Sequence, residues 1–172
     1  MNTYIMLFRG INVGGRNLLP MKELVSLLEA EGFENVKTYI QSGNVLIDAH
    51  EKPDDRVRLA IQSKYGFSPN IMILEKAEFE TMVKDSPFTS DIGKTVHFFF
   101  CAKKPTPDWE KLRQLATTTE RFELKGHVFY LHAPDGIGRS KLASKAEACL
   151  GVSTTARNLN TVSKILQLAE KA

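Results

Sequence analysis

The sequence predicts an α+β fold of two ferredoxin-like βαββαβ plaits in tandem, each built on an antiparallel sheet. The chain has 172 residues, enough for one ordinary domain or two small ones. In its first half, apolar runs and helical patterns follow the order strand, helix, strand, strand, helix, strand. The second half repeats that order, and Gly43-Asn44-Val45 has a sequence counterpart in Gly126-His127-Val128.

In the first half, apolar runs predict four strands, over residues 4–8, 36–40, 45–47 and 70–74. Pro20 and Pro53 each open a helix, because the first helical position tolerates proline best. Residues 41–44 have the composition of a hairpin turn between the second and third strands. We therefore assign residues 1–75 to the first plait.

The second half begins after a linking segment, residues 76–94, which includes a helix over residues 77–84. Its strands are predicted over residues 95–101, 121–124, 128–132 and 154–157. Its helices are predicted over residues 108–116, 140–150 and 161–172, the last being a C-terminal helix. Residues 95–172 therefore form the second plait.

Both alternating faces of the first strand are apolar, with Tyr4, Met6 and Phe8 on one face and Ile5 and Leu7 on the other. A plait covers only one face of its sheet with helices, so the second face needs another cover. The other half of the chain, packed sheet against sheet, would supply that cover. A homodimer would serve equally well.

The composition is that of a globular protein with a mildly basic balance, a net charge of +3 and a pI near 8.8. This charge suits an anionic partner and is far from that of a nucleic-acid-binding arm. No segment approaches the roughly 18 apolar residues of a membrane span, and no signal peptide is recognisable. We therefore expect a cytoplasmic protein with no membrane partner.

Enzyme signatures are poor throughout the sequence. The four histidines show no metal-ligand spacing, and we expect no metal site. Cys101 and Cys149 fall in an apolar strand and in a helix, which suits buried reduced thiols. The sequence therefore identifies no cofactor and no catalytic residue.

The most informative segment is residues 9–17, where three glycines, two arginines and two asparagines lie between an apolar strand and an amphipathic helix. Glycine lets the backbone turn several N–H groups toward one point, and arginine donates to oxyanions. The segment thus predicts an anion-binding loop, whose ligand residues would be Arg9, Asn12, Gly14, Gly15 and Arg16. The alternative is a tight loop whose arginines and asparagines bond only its own carbonyls.

The spacing from Gly10 to Gly15-Arg16-Asn17 resembles that of the nucleotide P-loop. Arginine stands where the P-loop has lysine, and asparagine stands where it has a magnesium-binding hydroxyl. The P-loop also requires a parallel sheet, which the order of elements does not give. An anion nest that uses the same backbone geometry is the better interpretation.

The hairpin at residues 41–44 is expected to lie beside this loop. In a βαββαβ plait the first and second strands run in the same direction, so their carboxyl ends share one edge of the sheet. Gln41, Ser42 and Asn44 would then add amide and hydroxyl donors to the anion site.

The second half predicts a further basic cluster at the opposite edge of its own sheet from its hairpin. Arg139 precedes a helix N-terminus, and Arg157, Asn158 and Asn160 leave the last strand. The pair Arg157 and Asn160 repeats the spacing of Arg9 and Asn12. Ser140 and Asn160 can equally be helix N-caps.

An RNA-recognition plait is the principal rival. Residues 125–130 begin like the basic-glycine-aromatic signature of RNA-binding strands, with His127 and Phe129 on one face. Phe98 or Phe99 would lie nearby on the central strand. The two-sided apolar patterning favours burial of these strands instead.

Four segments, residues 9–16, 39–45, 138–141 and 155–161, resemble those of the bacterial family known as domain of unknown function 1697. The likeness spans essentially the whole chain. It implies a cytosolic bacterial protein with two plait-like halves, and no established activity, cofactor or catalytic residue. Members of that family often have lysine at Arg16 and tryptophan at Leu159, so the positive charge is kept here and the aromatic ring is not.

Taken together, the sequence predicts a binding protein or an enzyme for a phosphorylated or otherwise anionic ligand, such as a nucleotide. Two alternatives stay open. One is a nucleic-acid-binding module, and the other is a structural or dimerising protein whose loops only cap sheet edges.

Overall fold

The computed structural model describes residues 1–171 and confirms the tandem arrangement of two plaits. The chain divides into two compact units. The first is Met1–Thr81 together with Lys164–Ala172, and the second is Met82–Ser163. Each unit contains one four-stranded antiparallel sheet.

The first half of the chain contains β1 (Asn2–Arg9), α1 (Met21–Ala30), β2 (Glu34–Tyr39), β3 (Asn44–Ala49), α2 (Arg56–Tyr65), β4 (Asn70–Glu75) and α3 (Lys76–Lys84). Its sheet has the order β2-β3-β1-β4, with every neighbouring pair antiparallel. This is the strand order of a ferredoxin-like plait.

The second half contains a 3-10 turn (Gly93–Thr95), β5 (Val96–Cys101), α4 (Trp109–Leu115), β6 (Arg121–Lys125), β7 (Val128–His132), α5 (Lys141–Leu150), β8 (Thr154–Asn158) and α6 (Leu159–Glu170). Its sheet has the order β6-β7-β5-β8 and repeats the topology of the first. The helix α6 begins in the second unit and ends in the first.

The core of the first unit follows from the alternation along its central strand. Tyr4, Met6 and Phe8 point to the helix-covered face, where they join Leu24 of α1 and Ile61 of α2 in one cluster. This cluster also includes Ile11 and Leu19, which anchor both ends of the glycine-rich loop. The residues on the opposite face of β1 are also fully buried within the single chain, as the two-sided apolar pattern predicts.

The second unit has an equivalent core on the helix-covered face of its sheet. Phe99 and Phe129 pack edge to face, with ring centroids 5.8 Å apart. Leu112 of α4 and Leu142 of α5 complete the same cluster. Cys101 and Cys149 are buried free thiols, and burial raises the pKa of the Cys101 thiol to about 11.

Several details of the sequence prediction were wrong, and three of them concern the helices and the hairpins. The helix expected to start at Pro53 begins at Arg56. The last helix starts at Leu159 rather than at residue 161, because the side-chain oxygen of Asn158 accepts a hydrogen bond from the Thr161 amide. Asn158 is therefore the residue that caps this helix, and Asn160 is not.

The third error concerns the correspondence of the two hairpins. The Phe8 amide donates to the carbonyl of Gly43, and the Cys101 amide donates to the carbonyl of His127. Both hydrogen bonds have a donor–acceptor distance of 2.8 Å. Gly43 is therefore the structural counterpart of His127, one residue away from the match that the sequence suggested.

Candidate functional site

The predicted meeting of two polar loops is confirmed at one edge of the first sheet. Both β1 and β2 end at this edge, and β3 begins there, with Leu7 and Tyr39 each paired to Asn44. The connection from β1 to α1 and the turn from β2 to β3 therefore project from the same end of the sheet. We call residues 9–20 and 40–43 the loop edge.

The tip of the loop edge is a tight hairpin of its own. Val13 and Arg16 form an isolated antiparallel bridge, and the Arg16 amide donates to the Val13 carbonyl over 3.0 Å. Gly14 and Gly15 between them have φ values of 58° and 72°. Two successive positive φ angles are typical of a type I′ turn, which favours glycine at both positions.

The base of this loop is held by its asparagines. The Asn12 side chain accepts from the Leu19 amide over 2.7 Å and donates to the carbonyls of Leu19 and Gln41 over 2.9 and 2.8 Å. The Asn17 side chain donates to the Gly10 carbonyl over 2.9 Å. Asn12 therefore fixes the loop against the neighbouring turn, and both asparagines bond the protein's own carbonyls.

The turn at residues 40–43 fits closely against β1. Gly43 has a φ of 91°, and a Cβ atom there would lie 2.6 Å from the Cβ of Phe8. Asn44 is completely buried, and its side-chain nitrogen donates to the Tyr39 carbonyl over 2.9 Å. Asn44 thus stabilises the hairpin from within, whereas Gln41 and Ser42 are exposed on its surface.

The donors at the tip face solvent. Among residues 1–171, the guanidinium group of Arg16 has no hydrogen-bond or ion-pair partner, and the amides of Gly14 and Gly15 have no acceptor. Arg9 is also exposed at the end of β1. Pro20, the N-cap of α1, makes no side-chain hydrogen bond to the first turn of that helix. Arginine side chains, bare amides and a helix N-terminus all favour an anion.

Charge is unevenly distributed over the first unit. Residues 1–22 and 35–47 contain no aspartate or glutamate, so no carboxylate from these segments neutralises the loop edge. The opposite edge of the sheet holds a crevice of about 240 Å³ whose acidic lining residues are Glu31, Glu34, Asp48 and Glu51. Arg56, His50 and the N-terminal Met1 also line it. The loop edge therefore carries arginines without nearby carboxylates in sequence, whereas carboxylates outnumber arginines around the crevice.

The second predicted cluster also shares one edge, because β7 and β8 both end beside the start of β5. Arg139 and Asn160 are exposed there, while Asn158 is occupied as the cap of α6. Arg157 is half-buried and donates to the carbonyl of Ala156 over 2.9 Å. Burial lowers the pKa of Arg157 to about 10. Arg157 and Asn158 are therefore less accessible than Arg16.

His97 is a buried polar residue near this edge that the sequence interpretation passed over. Its Nε2 atom has no hydrogen-bond partner within the described chain, and burial lowers the pKa of its imidazole below the ordinary value. Strand alternation was the available signal, because it places His97 on the same face as the core residue Phe99.

The aromatic residues of the rival RNA interpretation are not available for stacking. Phe98 and Phe129 are fully buried and Phe99 nearly so. The exposed residues of this signature are Lys125, Gly126 and His127, at the turn. Phe99 and Phe129 share one face of the sheet and Phe98 lies on the other, so neither face offers a platform on which bases could stack.

Other chemistries find little support in the part of the chain that the structure describes. No group of three or more histidine, cysteine, aspartate or glutamate side chains is placed to hold a metal ion. The raised pKa of Cys101 keeps its thiol protonated near neutral pH, so it is a poor nucleophile. Over residues 1–171, every helix is too short or too polar to cross a bilayer.

Comparison with known proteins agrees with the resemblance seen in the loop and hairpin motifs. Residues 1–130 match a family model described as "Protein of unknown function (DUF1697)". The solved structure of the conserved bacterial protein SP0830 from Streptococcus pneumoniae is similar, with a TM-score of 0.71 over 98% of both chains. The sequences are 24% identical, so this likeness shows the fold alone. No functionally curated protein matches the chain.

Proposed function

The chain belongs to the DUF1697 family, and we propose that it is a cytoplasmic protein that binds a phosphorylated or otherwise anionic small ligand, such as a nucleotide, at the loop edge. The observation that carries this proposal is the contrast within one loop. The asparagines at its base are satisfied by the protein's own atoms, whereas the donors at its tip are not.

The donors at the tip suit an oxyanion by their chemistry and by their fixed position. The Arg16 guanidinium group can donate two parallel hydrogen bonds to a phosphate or carboxylate. The neighbouring amides of Gly14 and Gly15 add donors that carry no side chain between them and the ligand. Because Asn12 holds the loop in place, less conformational entropy is lost on binding than with a flexible loop.

The surroundings of the tip support the same ligand class. Arg9 adds a second positive charge, and the segments that flank the loop contain no acidic residue. Gln41 and Ser42, next to the Asn12 contact, would orient the neutral part of the ligand. The cluster of Arg139, Arg157, Asn158 and Asn160 stays a prediction of a second basic site.

One observation favours a second candidate function, which is contact with a nucleic-acid backbone. A Cβ atom added at Gly10, Gly14 or Gly15 would meet no atom within 4 Å, so the loop stands in open space. An open basic loop can contact the phosphates of an extended strand. Each phosphate contact would add about 0.9 to the slope of log affinity against log salt concentration. A flat titration with RNA and with DNA at low salt would eliminate this candidate.

A thermal-shift screen of nucleotides, sugar phosphates and organic acids tests the proposal. A ligand present at 100 times its dissociation constant stabilises the folded protein by about 2.7 kcal/mol, which is readily measured. We expect a stabilising anion, and we expect Arg16→Gln to weaken it about tenfold or more. The matched control is Arg113→Gln, which removes an exposed arginine of α4 and should leave the shift unchanged. Equal shifts in both variants, or the absence of any stabilising anion, would contradict the proposal.

A further inference from the structure

The loop edge exposes an unusual share of the aliphatic surface of this chain. Val13, Leu18 and Ile40 are 65%, 60% and 48% exposed. Single exposed aliphatic side chains are ordinary on a protein surface, but several at one place indicate a site of interaction.

Hydrogen bonds join the backbone segments that carry the three aliphatic residues. The Asn12 amide donates to the Asn17 carbonyl, and the Asn12 side chain donates to the Gln41 carbonyl. Val13 follows Asn12 in the chain, Leu18 follows Asn17, and Ile40 precedes Gln41. Each aliphatic residue is therefore next in sequence to one of the three hydrogen-bonded residues, Asn12, Asn17 and Gln41.

Ile40 occupies a backbone conformation that its side chain disfavours. Its φ is 52°, in the left-handed region, where a β-branched residue is a genuine outlier. Neither core burial nor turn preference explains an isoleucine at this place, since glycine or asparagine would suit the turn better. An apolar side chain is thus held at the loop edge against local preference, which is a common sign of a functional role.

The polar part of the same surface is cationic. Arg9 and Arg16 bracket the loop, and the first turn of α1 adds Lys22 beside one acidic residue, Glu23. Three basic residues are fewer than the four to eight that typically bring a protein to an anionic membrane. The charge and the aliphatic area therefore suit a single dissolved molecule better than a lipid surface.

We propose that the ligand of the loop edge is an anionic amphiphile, in which a phosphate or carboxylate is joined to a short aliphatic chain. This inference rests on the proposed function and adds the chemical class of the ligand's neutral part. The anionic group binds at Arg16 and the two glycine amides, and the chain covers Val13, Leu18 and Ile40. Water released from both apolar surfaces supplies the added affinity.

Calorimetric titration of the protein with methyl, butyl and hexyl phosphate tests the inference. Full burial of one methylene group contributes about 0.8 kcal/mol, or about fourfold in affinity. On a half-open surface we expect at least about tenfold tighter binding of hexyl than of methyl phosphate. Binding that does not depend on chain length would overturn this inference and leave the proposed function intact. No binding of any phosphate, together with a negative anion screen, would overturn both.

Variants and vesicles provide the remaining arms of the experiment. Leu18→Ser and Ile40→Asn should each weaken hexyl phosphate about three- to tenfold and leave inorganic phosphate unchanged. The matched control, Leu59→Ser, alters a 51% exposed leucine of α2 and should change neither affinity. Circular dichroism and the melting temperature verify that each variant is folded. Equal affinity in all variants, or binding only to phosphatidylglycerol vesicles and to none of the dissolved alkyl phosphates, would overturn the inference.

Discussion

The two units share one strand order, yet the connection that leaves the central strand differs completely between them. In the first unit it is the glycine-rich loop of residues 10–20, whose tip amides have no acceptor within the described chain. In the second unit it is residues 102–108, which contain Pro105 and Pro107. There the amides of Ala102, Thr106 and Asp108 all donate to carbonyls of the same unit, at donor–acceptor distances of 2.9 Å.

The comparison teaches that the fold fixes where a loop emerges and leaves its chemistry to the residues that follow. The bond from the hairpin to the central strand is the same in both units, from Phe8 to Gly43 and from Cys101 to His127. The loop next to that bond is closed in one unit and open in the other. A binding site is therefore expected at this edge of the first unit and not at the equivalent edge of the second.

The largest effect should come from the hairpin of the first unit. Gly43→Ala would place a Cβ atom 2.6 Å from that of Phe8 at a φ of 91°, so both the packing and the backbone would be strained. We expect a loss of about 2–4 kcal/mol in the free energy of unfolding. Urea denaturation followed by circular dichroism measures it.

The matched control for Gly43 is its structural counterpart. His127 is exposed, and its carbonyl makes the equivalent bond to the central strand. His127→Ala should change stability by about 0.5 kcal/mol or less. If both variants lost similar amounts of unfolding free energy, the close fit of Gly43 against Phe8 would not be what distinguishes the two hairpins.

The next effect concerns the base of the open loop. Asn12→Ala would remove the side-chain bonds to Leu19 and Gln41, at a cost of about 2 kcal/mol. Both positions have φ near 50°, where alanine is strained, but Asn17→Ala would remove only one exposed bond, to Gly10, and should cost about 1 kcal/mol less than Asn12→Ala. Chemical denaturation of both variants provides the comparison, and an inverted order would mean that Asn12 does not brace the loop.

A smaller effect is the pH dependence of stability, in which the two central strands should differ. The strand β5 contains a buried histidine, His97, whereas β1 is apolar from Tyr4 to Phe8. Burial lowers the pKa of folded His97 below its ordinary value of 6.5, so the unfolded chain binds the proton more readily. Stability from this residue is complete above pH 6.5 and decreases as the pH falls through 6.5 toward the folded pKa.

Unfolding free energies of the wild type and of His97→Phe between pH 7.5 and about pH 5 check this sign. The variant should show a shallower loss of stability on acidification. His127→Phe, at an exposed position of the same unit, should retain the wild-type slope. Parallel curves for all three proteins would remove His97 as a source of acid sensitivity.

The smallest effect is the protection of the thiols. Cys101 and Cys149 are buried, and the pKa of Cys101 is raised to about 11. Labelling with a thiol reagent at pH 8 should therefore be slow in the folded protein and complete after unfolding in urea. Rapid labelling of Cys101 in the native state would show that the strand opens locally.

Much of this architecture follows from patterns that local sequence carries. Alternating and continuous apolar runs identify the strands, because each face of a strand is either buried in the core or exposed to solvent. The direction of β1 and β2 in a plait then requires the loop and the hairpin to meet, and the bond from Asn12 to Gln41 confirms it. Strand order thus predicted the location of the loop edge.

The role of each side chain at that edge was harder to predict. An asparagine amide has the same donors and acceptors whether it bonds a ligand or a backbone carbonyl. The sequence alone therefore could not show that Asn12 and Asn44 bond backbone carbonyls whereas Arg16 has no partner in the described chain. β-Branched residues favour strands, so the sequence predicts Ile40 in a strand, whereas β2 ends at Tyr39 and Ile40 has a turn conformation. The aliphatic surface was missed for the same reason, since exposure depends on what packs nearby.

Arg9 and Arg16 lie at one end of the first sheet, and the crevice at the other end has four carboxylates against one arginine, so the loop edge is the more positive end. A dissolved anion that approaches from a distance would be turned toward the arginine end before any contact is made. Capture would then be fastest in dilute buffer and would slow as added ions shorten the reach of the field to about 10 Å at 0.1 M.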